Sequence, residues 1–249
     1  MSDLAAYTVC AAAGLVAGTL NVFAGGGSFL TLPILLFLGL PAGVANGTNR
    51  VGVLAQSVSA VLSFHAYRVM DWRWALAASM PILAGAAVGT CAALVVPDLA
   101  FRRILASSML ALTVWTLWRD ALGAAVRSEP RPPGHWASVV GFFGAGIYGG
   151  FLQAGVGFLL LALTTTAGLD LVRGNAVKVL AILLQTLLSL GIFAGTGNVH
   201  WPLGLALAAG YTAGGVLGAR MTVLKGHRWL QRAVTVTIVF FAILLWLTD

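Results

Sequence analysis

A glycine cluster, AGGGS at 24–28, interrupts an apolar run, and a fainter copy, QAGVG at 153–157, does the same in the other half of the chain. Consecutive glycines inside a membrane helix release backbone groups that lipid cannot satisfy, so such a break persists only where protein or water lines it. The residues after it begin a new half-helix, whose free N–H groups and positive dipole end suit an anion. Gly25, Gly26, Gly27 and Ser28, with Gly155 and Gly157, are therefore the first candidates for a binding site. The competing reading is a tight helix crossing that needs small residues.

ANGTNR at 45–50 and GNAVKV at 174–179 form the second candidate. Each follows a short loop and puts an Asn and a cation at the mouth of an apolar run: Asn46, Asn49 and Arg50 in one, Asn175 and Lys178 in the other. A cation one turn into a spanning helix is costly unless it snorkels to the interface or faces an aqueous cavity. Snorkelling and ligand binding both stay open here. Gln56 and Gln185 stand two turns further on and read as interhelical hydrogen bonds or as part of a pathway. His65 reads as interfacial, Trp72 and Trp201 as anchors at the membrane surface, and the Gly85/Gly89 and Gly214/Gly218 pairs as close helix crossings.

All seven acids fall in termini or loops, which argues against a carboxylate proton relay or a buried carboxylate cation site. No zinc-protease, P-loop or paired intramembrane aspartate motif is present, and an enzyme is not expected. An interior of glycine N–H groups, amides and one or two cations favours anions. No cofactor or metal is expected. Cys10 and Cys91 lie in apolar runs without metal spacing and read as small packing residues.

The elements that must position these groups follow from composition. With 59% hydrophobic and 8% charged residues and mean hydropathy +0.96, the 249-residue chain has too little polar surface for a soluble globule. Residues 4–49 and 136–169 carry no Asp, Glu, Lys or Arg, and such runs read as spanning helices rather than barrel strands. The net charge of +7 sits in short loops, where it sets orientation and meets lipid headgroups rather than nucleic acid. No basic leader precedes the first apolar run, so a cleaved signal peptide is not expected.

Apolar runs fall at 5–24, 28–40, 47–66, 74–96 and 104–118, and again at 136–153, 157–169, 179–196, 201–219 and 233–248. Sliding the sequence by 129 places residues 21–103 on 150–232 without a gap, with 17 identities in 83 positions. The polar matches persuade most: Asn46 with Asn175, Gln56 with Gln185, Trp72 with Trp201, Arg103 with Arg232. The chain reads as an internal duplication, with a first repeat at 1–120, a cytoplasmic linker at 121–135 and a second repeat at 136–249. As one helix, residues 5–40 would run about 54 Å against a core near 30 Å, so the stretch folds back or crosses twice. Each half then crosses an odd number of times, and 11 of the 14 basic residues share one face. The positive-inside rule makes the halves inverted, with both termini outside the cytoplasm.

AGGGSFLTLP, ANGTNRV at 45–51, RGNAVKVL at 173–180, and a helix with Gly210, Gly214 and Gly218 running into GAR together resemble the TauE/SafE sulfite exporter family. The resemblance implies a bacterial inner-membrane permease of two related halves that moves sulfite, a sulfonate or a similar small anion. By position it implies a site at Gly25, Gly26, Gly27, Asn46, Asn49, Arg50, Gly155, Gly157, Asn175 and Lys178. The second glycine motif departs from the first, with Ala154 and Val156 opposite Gly25 and Gly27, so the first half is expected to carry more of the binding. The expected fold is an all-α polytopic membrane protein of two inverted-topology helical repeats, each a glycine-broken helical hairpin followed by three transmembrane helices. Expected partners are a small anionic solute and membrane lipid, with a homodimer left open; an accessory or assembly subunit without a substrate is the alternative.

Overall fold

The computed structural model describes residues 2–121, 132 and 134–225. Among them the chain forms nine helices and no strand: α1 Asp3–Phe23, α2 Ser28–Phe37, α3 Ala42–Ala66, α4 Trp72–Val95, α5 Asp98–Ala121, α6 Trp136–Phe151, α7 Val156–Thr166, α8 Leu171–Gly195 and α9 Trp201–Lys225. The last apolar run, 233–248, and most of the 121–135 linker lie outside the described residues. Four helices, α1, α4, α8 and α9, are long and apolar enough on their own to cross a bilayer. Large apolar side chains such as Leu4, Leu62, Met80, Val95 and Leu205 are more than half exposed, as a surface facing hydrocarbon requires. The protein is a multi-pass membrane protein.

The 129-residue shift reappears in the helices themselves. Moved by 129, α3 falls on α8 end for end, and α2 and α4 fall on α7 and α9 to within one residue. The turns agree as well: Gly39 and Gly168, aligned by the shift, both take left-handed backbone at φ +88° and +95°, where a side chain would be strained.

Each glycine break ends one helix and starts the next. α1 closes at Phe23, Gly25 turns the chain at φ +103°, and α2 begins at Ser28. The second break needs two left-handed residues, Gln153 at φ +65° and Gly155 at φ +77°, and is tied off by the Tyr148 hydroxyl donating to the Ala154 carbonyl at 2.8 Å. The aligned sequences hide this difference, because the two halves make the same reversal with different residues.

Small residues set the helix crossings. Gly14 of α1 faces Leu207 and Tyr211 of α9, and Gly218, further along α9, faces Thr19 and Val22. Gly85 and Gly89 of α4 face Phe143, Ile147 and Phe151 of α6 in the same manner. The glycine pairs are thus close-packing positions, as their spacing predicts. α3 runs alongside α9, with Gly52 against Leu207 and Tyr211 and Gly215 against Gln56 and Ser59. It meets α8 head to tail: Gly47 faces Phe193 and Asn198, while Phe64, near the other end, clusters with Ala176 and Val179.

Two expectations need correction. α3 and α8 start at Ala42 and Leu171, earlier than the apolar runs at 47 and 179, because backbone hydrogen bonding continues through polar residues that hydropathy reads as loop. Arg50 is therefore more than two turns inside its helix, and Lys178 two turns. Cys10 is a buried packing residue, whereas Cys91 is exposed on α4.

Candidate functional site

The two breaks meet. A methyl group on Gly25 would lie 2.7 Å from the Gly157 Cα and 2.6 Å from the Phe158 nitrogen, so backbone touches backbone where α1–α2 faces α6–α7. Gly25, Gly26, Gly27, Ser28, Gly155 and Gly157 are all buried and share this region.

Two cations stand beside it, each 0% exposed. Arg50, from α3, reaches the end of α6: one guanidinium nitrogen donates to Gln153 Oε1 at 2.8 Å, and the other to the carbonyls of Gly149, at 3.3 Å, and Gly150. Asn46, one turn earlier, donates to the Phe151 carbonyl at 2.7 Å, and the Phe193 ring lies 5.0 Å from the guanidinium carbon. Lys178, from α8, does the same for α1, donating to the carbonyls of Val22 at 2.8 Å and Asn21 at 3.3 Å. Asn175 adds a 3.4 Å bond to the Phe23 carbonyl. Each half therefore supplies an Asn and a cation that cap the broken helix of the other half.

The physical reason is plain. The last four carbonyls of a helix lack intrahelical partners and carry about half a negative charge between them. In a bilayer interior no water is at hand to satisfy them, so a cation with several donors is a strong solution. Hydrogen bonds from a charged group are each worth about 1.5–3 kcal/mol. Neither side chain snorkels to a surface; both reach the ends of helices in the opposite half.

Charge is left over. Among the described residues neither cation has a carboxylate partner, and the described ion pair, Arg173 with Asp170 at 3.5 Å, is exposed. The opposite ends, the starts of α2 and α7, have no side-chain cap at Gly27 or Gly155. The interior at the breaks thus combines two positive side chains with two positive helix ends.

Asn49 does not join Arg50. Its carbonyl oxygen accepts from the Thr31 hydroxyl at 2.7 Å, and Tyr211 of α9 reaches both Thr31, at 2.9 Å, and Asn49, at 3.4 Å. Gln56 accepts from Asn21 at 2.9 Å and serves as interhelical glue. Gln185 is buried with neither amide atom bonded. Thr31, Tyr211, Asn21 and Gln153 were not singled out by sequence. Each is a polar group within an apolar stretch, which was the available signal. A recess of about 170 Å³, lined by Asp71, Trp74 and residues 167–170 and 173, lies elsewhere and includes none of the candidate residues.

The sequence profile described as "Sulfite exporter TauE/SafE" matches residues 10–245. The chain belongs to the sulfite exporter TauE/SafE family. Within this reach it is 29% identical to a probable membrane transporter protein of Haemophilus influenzae, over 94% of this chain and 91% of that one. It is 27% identical to the probable membrane transporter protein ORF9 of a Sinorhizobium species, covering 98% and 94%. It is 26% identical to the probable membrane transporter protein YfcA of Escherichia coli, covering 89% and 82%. No solved structure matches the chain. The caps, the breaks and the glycine crossings are therefore features of a TauE/SafE protein seen on this chain's own residues.

Proposed function

We propose that the protein is a permease that moves a small sulfur-containing or organic anion across the bacterial inner membrane, with the anion held where the two glycine breaks meet. The observation that carries this reading is the pair of buried cations, Arg50 and Lys178, without a carboxylate for either among the described residues. Their caps use carbonyl dipoles, which offset only part of two full charges. An anion entering beside them completes the electrostatics, whereas a cation would be repelled. The family description, sulfite exporter, supports sulfur oxyanions as the first solutes to try.

Alternating access follows as part of the same proposal. The directions of packing support inverted halves: α1 lies parallel to α9 and α3, α6 lies parallel to α4, and α3 opposes α8. By repeat symmetry α8 runs with α4 as α3 runs with α9, so α1 and its counterpart α6 point in opposite directions. Two inverted units around a shared site can rock between inward-open and outward-open arrangements. The end of α3, the start of α4, the end of α5 and the start of α8 then lie on one face with most of the Arg and Lys. That face is cytoplasmic by the positive-inside rule, with both termini outside.

The test is thermal stability of the purified protein in detergent against sulfite, sulfate, thiosulfate, small sulfonates, acetate and chloride, with sodium and potassium exchanged as controls. A ligand at about 100 times its Kd stabilises the folded state by about 2.7 kcal/mol. At about 2–4 °C per kcal/mol for a chain of this size, the melting temperature should rise by roughly 5–11 °C. A rise confined to one class of anion is the expected result, and a flat response to every anion would remove the reading.

A further inference from the structure

The neutral donors beside the first break are more telling than the cations. Tyr211 stands near the middle of α9, its ring between Gly18 of α1 and Gly52 of α3, and its hydroxyl crosses to α2. Thr31 gives its proton to Asn49 Oδ1, so Tyr211 gives its own to the Thr31 or Asn49 oxygen. This one-way chain of hydroxyl donors ends on the Asn49 carbonyl oxygen and fixes the amide with its NH2 turned away from it.

That NH2 has no acceptor among the described residues. Asn49 is 0% exposed and its Nδ2 is unbonded. Ser28, the first residue of α2 and 1% exposed, comes close to the Tyr211 hydroxyl, but its Oγ makes no hydrogen bond of good geometry. Gly27, the residue that caps α2, offers no side chain; the Phe29 and Leu30 N–H groups donate to the Gly26 and Gly27 carbonyls, which leaves the Ser28 N–H without a backbone partner among the described residues. Buried polar groups normally find partners, and a group of unbonded donors around one helix start calls for an acceptor.

The second half has no equivalent. At the positions shifted by 129, Ser28, Thr31 and Asn49 become Gly157, Leu160 and Lys178, and Tyr211 answers to Ile82. The three hydroxyls and the amide gathered at the first break, Tyr211 being lent by α9 of the second half, have as counterparts two aliphatic chains, a glycine and a capping lysine.

We propose that the Ser28 hydroxyl and N–H, at the start of α2, and the Asn49 amide bind the oxygens of one oxyanion headgroup, with Thr31 and Tyr211 as positioning residues that hold the amide. This rests on the anion-permease reading and deepens it. The substrate class is a small oxyanion, sulfite, sulfonate or carboxylate, whose several acceptor oxygens match several donors, rather than a spherical halide. Arg50 and Lys178 keep the helix ends and supply the long-range field. Binding is one-sided, in the first half alone.

The experiment is a sulfite and chloride titration of melting temperature on the full chain in detergent, in the wild type, Ser28→Ala, Asn49→Asp and Tyr211→Phe. Ser28→Ala removes a hydroxyl that makes no hydrogen bond, so it keeps the wild-type melting temperature without ligand and weakens sulfite about tenfold. Asn49→Asp keeps the oxygen that accepts from Thr31 and Tyr211 but loses the donors, and the sulfite response disappears. Tyr211→Phe weakens sulfite by a smaller factor, because it frees the amide rather than removing it. A wild type that responds to sulfite, with Ser28→Ala and Asn49→Asp responding equally well, overturns this assignment and leaves the permease reading standing. Should Asn49→Asp fail to fold, Ser28→Ala decides alone. Chloride binding as tightly as sulfite overturns the oxyanion class. A wild type indifferent to all anions overturns the permease reading and this inference with it.

Discussion

Replacing Gly25 by alanine separates two costs that the structure places on one residue. The first is backbone strain at φ +103°, about 1–2 kcal/mol for an L side chain in the left-handed region. The second is collision with Gly157 and Phe158 at the meeting of the breaks, an overpacking cost of about 1–3 kcal/mol. Two other glycines isolate the terms. Gly39 has φ +88° and nothing within 4 Å of an added methyl, so Gly39→Ala carries the strain alone. Gly157 has no left-handed backbone, but its added methyl would run into Gly25, so Gly157→Ala carries the collision, offset by up to about 1 kcal/mol of helix propensity. Gly25→Ala should therefore cost roughly 2–5 kcal/mol, the sum of the two. At about 2–4 °C per kcal/mol, a melt in detergent should fall by roughly 4–20 °C for Gly25→Ala and by roughly 2–8 °C for Gly39→Ala. The double variant Gly25→Ala/Gly157→Ala should depart from additivity, since both methyls press on one contact. If Gly25→Ala melted no lower than Gly39→Ala and the double variant were additive, the breaks would not touch and the shared site would have no structural basis.

Further outcomes follow from the caps, the crossings and the orientation. Arg50→Lys keeps the charge but loses the fork that reaches Gln153 and Gly150 together, so it should melt lower than the wild type by about 1.5–3 kcal/mol equivalent, the worth of one charged hydrogen bond. Lys178→Met leaves the Asn21 and Val22 carbonyls at the end of α1 without their cation, and purified protein in vesicles should lose most anion flux even where a melt shows it folded. Gly85→Leu and Gly214→Leu should each prevent close crossing of α4 with α6 or α1 with α9, seen as loss of monodisperse protein on size exclusion. A single cysteine at Ser128, in a background without Cys10 and Cys91, should react with an impermeant maleimide in inside-out vesicles but not in intact cells. The reverse pattern would overturn the proposed orientation.

The helices were largely legible because apolar runs and the 129-residue repeat are coarse signals that side-chain detail does not disturb. Nine of the ten runs correspond to the nine described helices, and glycines aligned by the shift, such as Gly39 with Gly168, share a backbone conformation. Helix starts were misjudged where polar residues lie inside α3 and α8, since hydropathy cannot tell a buried Asn46 or Arg50 from a loop residue. The candidate site was half legible. Aligned Asn and cation positions pointed to Asn46, Arg50, Asn175 and Lys178, but their partners are carbonyls of the opposite half, about 100 to 157 residues away, and no local pattern encodes them. Tyr211 was invisible for a related reason: a lone tyrosine in an apolar helix gains its meaning only from Gly18, Gly52 and Thr31 brought around it by the fold.

The central claim is that the buried charge at the meeting of the breaks serves an anion. The most direct measurement is flux of isotopically labelled sulfite into proteoliposomes containing the wild type, compared in the same preparation with labelled sodium. The account predicts saturable sulfite uptake, inhibited by unlabelled sulfonates, abolished in Lys178→Met and absent for sodium without sulfite. Sodium uptake independent of any anion, or sulfite flux equal in wild type and Lys178→Met, would contradict it.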